Sequence, residues 1–275
     1  MPSLHEITVA QLSRLVGTPE APIIVDVRVP DHRAEDPRFI PCAVERDFRT
    51  VSDWGASFAG RRVVVVCERG LKLSHGVAAW LRAAGTDAET LEGGYAAWRD
   101  QGQLLVKPDR LPARDERGRT RWTTRARPKV DRIACPWLIR RFLDADALFL
   151  FVPASEVHGV GERFEATPFD VEGEFFSHRG ENCTFDTMLD EFGLESESLR
   201  RLALIVRGAD TARMDLAPEC AGLLAASLGY SRMYREDLPQ LEHAMELYDA
   251  LYRWCRDATE ETHNWPAAKV TAQRA

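Results

Sequence analysis

The sequence predicts two units: an α/β unit with an open, mostly parallel sheet and helices on both faces over residues 1–106, then a mainly helical α+β unit over 122–266. Three observations carry this. "PIIVDVR" (Pro22 to Arg28) and "RVVVVC" (Arg62 to Cys67) are nearly continuous β-branched runs, as expected of parallel strands buried on both faces. Helical patterns alternate with them. Beyond Lys107 the texture changes, first to basic and irregular and then to helix-rich.

In chain order, "SHGVAAWLRAAG" (Ser74 to Gly85) places Val77, Leu81 and Ala84 on one helical face, and Gly85 ends the helix. "DAETLEGGYAAWRDQG" reads as a short strand, a Gly93-Gly94 turn and a closing helix. "KPDRLPARDERGRTRWTTRARPK" is charged and proline-bearing, so 107–121 reads as a solvated basic linker; Trp122 is the lone aromatic in that stretch, which argues against nucleic-acid stacking. "PWLIRRFLDADA" opens on Pro136, suited to a first helical turn. "LFLFVP" (Leu148 to Pro153) reads as a strand. "TFDTMLDEFG" has Thr184 as N-cap and Gly193 as terminator. In "DLPQLEHAMELYDALYRWCRDATEE", Leu238, Leu241, Met245, Tyr248 and Cys255 form one stripe of a long amphipathic helix, making Cys255, like Cys220, core packing. Residues 267–275 are a tail. "LLAASLGYSRMY" has a faint helix-turn-helix look that packing explains equally well.

The chain has 275 residues, 45% of them hydrophobic, enough for one large or two small domains. A net charge of −7 and a pI near 5.6 argue against nucleic acid as partner. The start lacks a basic region followed by an apolar one, and no apolar run nears the roughly 20 residues of a membrane span. The expectation is a cytoplasmic protein without membrane association. Cysteines 42, 67, 135, 183, 220 and 255 form no CxxC pair, which speaks against a zinc ribbon or a dithiol redox motif; free thiols are the default in such a compartment.

One thiol has a setting that points to chemistry. Cys67 ends a buried strand and is followed by Glu68, Arg69, Gly70, Leu71 and Lys72 before a helix. A strand-to-helix loop aims backbone N–H groups at one point, and the helix dipole adds partial positive charge there. A thiolate is favoured in such a place, and cationic neighbours such as Arg69 and Lys72 help. The same cradle holds a small oxyanion, and Gly70 lets the backbone curl around it.

"IIVDVR", "VVVVCERGLK", "WLRAAG" and "LEGGYAAW" together resemble a single rhodanese domain over roughly 1–106. The family's loop is Cys-x-x-Gly-x-Arg/Lys/Thr, here Cys67 to Lys72. The resemblance implies that Cys67 takes a sulfane sulfur from a donor such as thiosulfate and carries it as a persulfide to a thiol or other acceptor, with Glu68, Arg69, Gly70, Leu71 and Lys72 binding the anion and no cofactor required. "DPRFIPCAV" only approximates the family's Gly-His-Ile-Pro-Gly-Ala; Pro41 and Ala43 match, while Cys42 stands for a glycine and reads as a local substitution, not a second nucleophile. Related phosphatases and arsenate reductases use Cys-x5-Arg; Leu73 occupies that arginine's position, so transfer at sulfur fits better.

The strings from Trp122 to Pro153, Thr167 to Leu194, Ile205 to Tyr234 and Leu251 to Pro266 resemble the C-terminal domain of the ChrB chromate-resistance family. That resemblance brings chromate in as a further ligand or signal. Within "EGEFFSHRGENCTFD", His178, Glu181 and Cys183 form a candidate metal cluster, with Asp131 or Cys135 from elsewhere as further ligands and the ion unspecified. Asp210, Arg213 and Asp215 fall in a turn between helices, where ion pairing explains them. The leading expectation is a rhodanese-type sulfurtransferase acting in chromate stress. The alternatives are a chromate-sensing regulator and a thiol- or metal-dependent chromate oxidoreductase.

Overall fold

The computed structural model describes residues 5–261. The end of the second unit at Pro266 and the tail 267–275 lie outside the described residues. The first sheet contains β1 (Glu6–Ile7), β2 (Ile23–Asp26), β3 (Val44–Glu45), β4 (Arg62–Val66) and β5 (Asp87–Leu91) in the order β1-β5-β4-β2-β3. Every pairing is parallel. The β-branched runs therefore sit centrally, and β4 alternates between two cores. Val63 and Val65 join Val25, Val27 and the helix α4 (Lys72–Ala83) through Val77, Ala78 and Leu81. Val64 and Val66 join Ile24 and Leu91 on the other face, under α1 (Val9–Leu15) and α5 (Gly94–Asp100), which supply Leu12, Tyr95 and Trp98. On α4, Ala78 takes the buried place expected for Ala84, which is half-exposed.

Short helices α2 (Pro30–Glu35) and α3 (Val51–Trp54) complete the first unit. Asp26 and Arg28 form a buried ion pair at 2.8 Å. The Arg28 guanidinium lies 3.6 Å from the Tyr95 ring centroid and donates to the carbonyls of Asp36 and Arg38, so the "DVR" string ties β2 to α5 and to the chain after α2.

The second sheet is small and parallel: β6 (Arg121–Arg125), β7 (Leu148–Val152) and β8 (Thr167–Pro168), in the order β7-β6-β8. Around it lie α6 (Asp131–Leu138), α7 (Val157–Phe164), α8 (Thr184–Phe192), α9 (Glu197–Asp210), α10 (Cys220–Met233) and α11 (Asp237–Asp257). Three sequence expectations are corrected here. The helix expected from Pro136 begins at Asp131, so Pro136 lies inside α6, and a π-helical turn over Ile139–Leu143 follows it. A proline there removes one backbone donor, and a widened turn accommodates such a defect. The N-cap of α8 is Cys183, not Thr184. Leu238 is exposed at the head of α11, whereas Leu241, Met245, Tyr248 and Cys255 are buried. α10 runs unbroken through the helix-turn-helix candidate.

The linker is docked rather than loosely solvated. Thr120 donates its N–H and hydroxyl to Asp144, and Lys107 N–H bonds the Phe192 carbonyl. The core under α1 and α5 continues without interruption into Trp122, Trp137, Phe142, Tyr248 and Tyr252. The Cys42 N–H donates to the Phe142 carbonyl across the seam at 2.9 Å. Among the described residues, no helix is long and apolar enough to cross a membrane.

Candidate functional site

Cys67 follows the last residue of the central strand β4, and Lys72 opens α4. The loop between them is clamped by the Gly93-Gly94 turn. Tyr95 N–H donates to the Cys67 carbonyl at 3.0 Å and Ala96 N–H to the Glu68 carbonyl at 2.9 Å. Gly70 has φ +64, and a Cβ there would lie 2.6 Å from the Leu91 carbonyl oxygen and 2.7 Å from Gly94 N. Gly94, at φ +63, is equally tight: its Cβ would meet the Cys67 carbonyl oxygen at 2.3 Å. Only glycine permits two loops to pass this closely.

Cys67 is 5% exposed, and its thiol lies 3.3 Å from the Ser74 hydroxyl, which also donates to the Leu71 carbonyl at 3.0 Å. Ser74, on the first turn of α4, was not singled out by the sequence. Its place two residues beyond the loop, on a helix face that returns to the strand end, is the signal. Glu68 turns toward Arg99, at 4.0 Å. Arg69, Leu71 and Lys72 are exposed, and among the described residues neither Arg69 nor Lys72 has an ion-pair partner. The loop thus combines a near-buried thiol, a hydroxyl beside it and two free cations at its rim.

Cys42 is elsewhere. It has φ +58, the left-handed conformation that explains why a glycine suits this position in the resembling family. Its thiol faces the Arg140 carbonyl, and burial, with Asp144 close by, pushes it up to about 12. It lines a seam cavity of about 420 Å³ beside Arg114, Arg140 and Arg141, whose charges are taken by Asp144, Glu242 and Asp249.

In the second unit the structure redraws the expected metal cluster. Gly180, at φ +61, and the bridge between Arg179 and Asn182 reverse the chain after His178. Glu181 is thrown outward and pairs with Arg213 at 2.8 Å. Cys183 is sealed, donates to Asp186 and has its thiol pushed far up by burial. Neither joins His178 in a ligand set, and Cys135 is wholly buried with its thiol also pushed up.

His178 instead faces three carboxylates from three other places: Asp131 at the start of α6 (3.6 Å), Asp170 after β8 (3.5 Å) and Asp210 at the end of α9 (3.2 Å). Of the ligands expected with His178, only Asp131 stays beside it. Asp170 belongs to no motif of the sequence, and the ion pairing expected of Asp210 is made with His178, from the last residue of α9. Thr184 fixes two of the acids, its N–H donating to Asp131 at 2.6 Å and its hydroxyl to Asp170 at 3.0 Å. Arg125 and Arg132 also reach Asp170. Burial raises Asp131 and Asp210, each beside other carboxylates, while His178, Arg125 and Arg132 hold Asp170 low. The carboxylates, Asp170 first, lift His178 to about 9.

A five-stranded parallel sheet with a thiol at the carboxyl end of its central strand, inside a Cys-x-x-Gly-x-Lys loop, defines a rhodanese-like domain. Comparison with known families agrees: residues 8–101 match the rhodanese-like domain, and residues 122–255 match the ChrB C-terminal domain. The chain therefore joins a rhodanese-like domain to a ChrB C-terminal domain. It is 33% identical over 169 residues to protein ChrB of Cupriavidus metallidurans, and the match covers 56% of this chain. The chain spans about half the length of that curated relative, 50%. Among solved structures, it is similar to a rhodanese-like domain protein of Staphylococcus aureus (32% identity, 37% of this chain and 97% of the other, TM-score 0.33). It is also similar to a protein of Staphylococcus saprophyticus (26% identity, 37% and 99%, TM-score 0.33).

Proposed function

We propose that the first unit is a thiosulfate-type sulfurtransferase working in the cytoplasm and serving chromate stress. The observation that carries the reading is Cys67 held at a strand end in a glycine-clamped loop, with Ser74 3.3 Å from its sulfur and Arg69 and Lys72 free at the rim. The Cys67 thiolate attacks the outer sulfur of thiosulfate, the S–S bond breaks, and sulfite leaves with the bonding pair. The persulfide then passes its outer sulfur to a nucleophilic acceptor and the thiolate returns. No cofactor is needed. Arg69 and Lys72 attract the dianion, and the Ser74 hydroxyl can donate to the thiolate. The chromate connection rests on the ChrB domain. Chromate is a tetrahedral dianion with the outline of thiosulfate, so a cradle of N–H groups and cations accepts both.

The test is thiosulfate:cyanide sulfur transfer. Cys67→Ser should abolish it and Cys42→Ser should leave most of it; equal losses would overturn the single-nucleophile reading. Chromate should compete with thiosulfate in the same assay, with sulfate as the redox-inert control. Absence of competition would detach chromate from this loop and leave it to the second unit.

A further inference from the structure

We infer that Asp131, Asp170 and His178, with Asp210 beside them, form a binding site for one divalent cation of the manganese, iron or zinc kind. Ligand atoms of Asp131, Asp170 and His178 all lie within 4.8 Å of one another. With Asp210 they come from four separated positions in the chain, held together by the packing of α6, α8 and α9. Asp131 is completely buried, and one of its carboxylate oxygens, Oδ1, has no hydrogen-bond partner. Natural interiors rarely leave a buried carboxylate oxygen unmatched, because the desolvation cost of that atom is then borne without return. The other oxygen faces His178 and is already engaged by Thr184.

The spacing argues in the same direction. Two ligand atoms each about 2.1 Å from a metal stand about 3.0 Å apart at a right angle and about 3.4 Å apart at the tetrahedral angle. His178 Nε2 stands 3.2, 3.5 and 3.6 Å from its three carboxylates. A good N–H···O bond falls at about 2.7–3.2 Å, so one approach, to Asp210, stands at the edge of that range and the other two lie beyond it. One imidazole shared among three carboxylates at 3.2–3.6 Å is a spacing that an ion between them would draw together.

The donors select the ion's class. Oxygen ligands with one imidazole and no sulfur suit manganese, iron or zinc and exclude soft monovalent copper. Thr184 and Arg125 supply outer hydrogen bonds, and Arg132 an ion pair, that hold the ligating carboxylates in place. The His178 side chain is 41% exposed, so the site opens to solvent on that side. An ion there keeps exchangeable water, as catalytic metal sites do and closed structural sites do not.

The experiment uses the full chain, stripped with chelator and titrated with Mn²⁺, free Mn²⁺ being read by electron paramagnetic resonance and the bound ion by thermal shift. The wild type should take up one Mn²⁺ per chain and melt at a higher temperature with it. His178→Ala and Asp131→Asn should each weaken binding at least tenfold and lose the thermal shift, while Glu181→Ala should bind as the wild type does. If Asp131→Asn fails to fold, His178→Ala decides alone, since that side chain is part-exposed. No saturable binding of Mn²⁺ or Zn²⁺ by the wild type, or undiminished binding by His178→Ala, would overturn the site and leave His178 as an ion-paired side chain.

Discussion

Gly70 shows how much of the sulfur-handling loop depends on a missing atom. Its position in Cys67-x-x-Gly70-x-Lys72 was legible because the whole loop is contiguous in sequence, and the left-handed φ of +64 supplies the reason for the glycine. Gly70→Ala would drive a Cβ to 2.6 Å from a backbone oxygen that cannot move without shifting β5. The strain is expected to cost on the order of 1–3 kcal/mol, read as a lower melting temperature. Sulfur transfer should fall at least tenfold with it, because the loop that positions Cys67 must give way. An Ala variant with full activity would show that the clamp is dispensable. The His178 cluster is the opposite case. Its acids stand far apart in sequence, and no local pattern links Asp131, Asp170 and Asp210; reading outward from His178 finds Glu181 and Cys183, which one glycine turn then sends in opposite directions.

At the scale of the element, hydrophobic runs proved a dependable guide to strands and helix stops a poorer guide to helix starts. β2 and β4 fall inside their predicted stretches because a doubly buried parallel strand must be apolar throughout. α6 was displaced because Pro136 is a signal for a first turn, while the residues that start this helix lie earlier: Val130 N–H bonds the Ser227 hydroxyl and the Tyr248 hydroxyl bonds the Val130 carbonyl. Tertiary contacts from α10 and α11 set that boundary, and they are invisible locally. The "DVR" string of β2 makes a sharper statement. Arg28 is 2% exposed and Asp26 5%, so Arg28→Met leaves a buried carboxylate without its partner. The expected loss is about 3–5 kcal/mol, measurable by urea unfolding. The double variant Arg28→Met/Asp26→Asn should recover part of it, since the unpaired charge is gone. Equal losses in single and double variants would show that packing against Tyr95, not charge pairing, is what Arg28 provides.

Over the whole molecule, the two textures visible in the sequence are one body in space. Phe142 sits where the units meet: its carbonyl accepts the Cys42 N–H, and its ring packs on Tyr252 and against Gly17. Heating should therefore give a single cooperative transition, with calorimetric and van't Hoff enthalpies agreeing. Phe142→Ala should lower the whole transition, at a cost of about 3–5 kcal/mol. Two separate transitions, with only the second moved by Phe142→Ala, would contradict the shared core. Sequence patterning could not announce this, because an apolar helix face looks the same whether it covers its own sheet or a neighbour.

The face of the first sheet that carries Leu12, Tyr95 and Trp98 runs straight into Trp122 and Phe142. Standing alone, the first unit would present that surface to water. Exchange of this unit for another by recombination would thus have to carry a matched apolar surface along with it, or leave the helical half of the chain exposed. Substitutions on α1 are constrained by residues more than a hundred positions away.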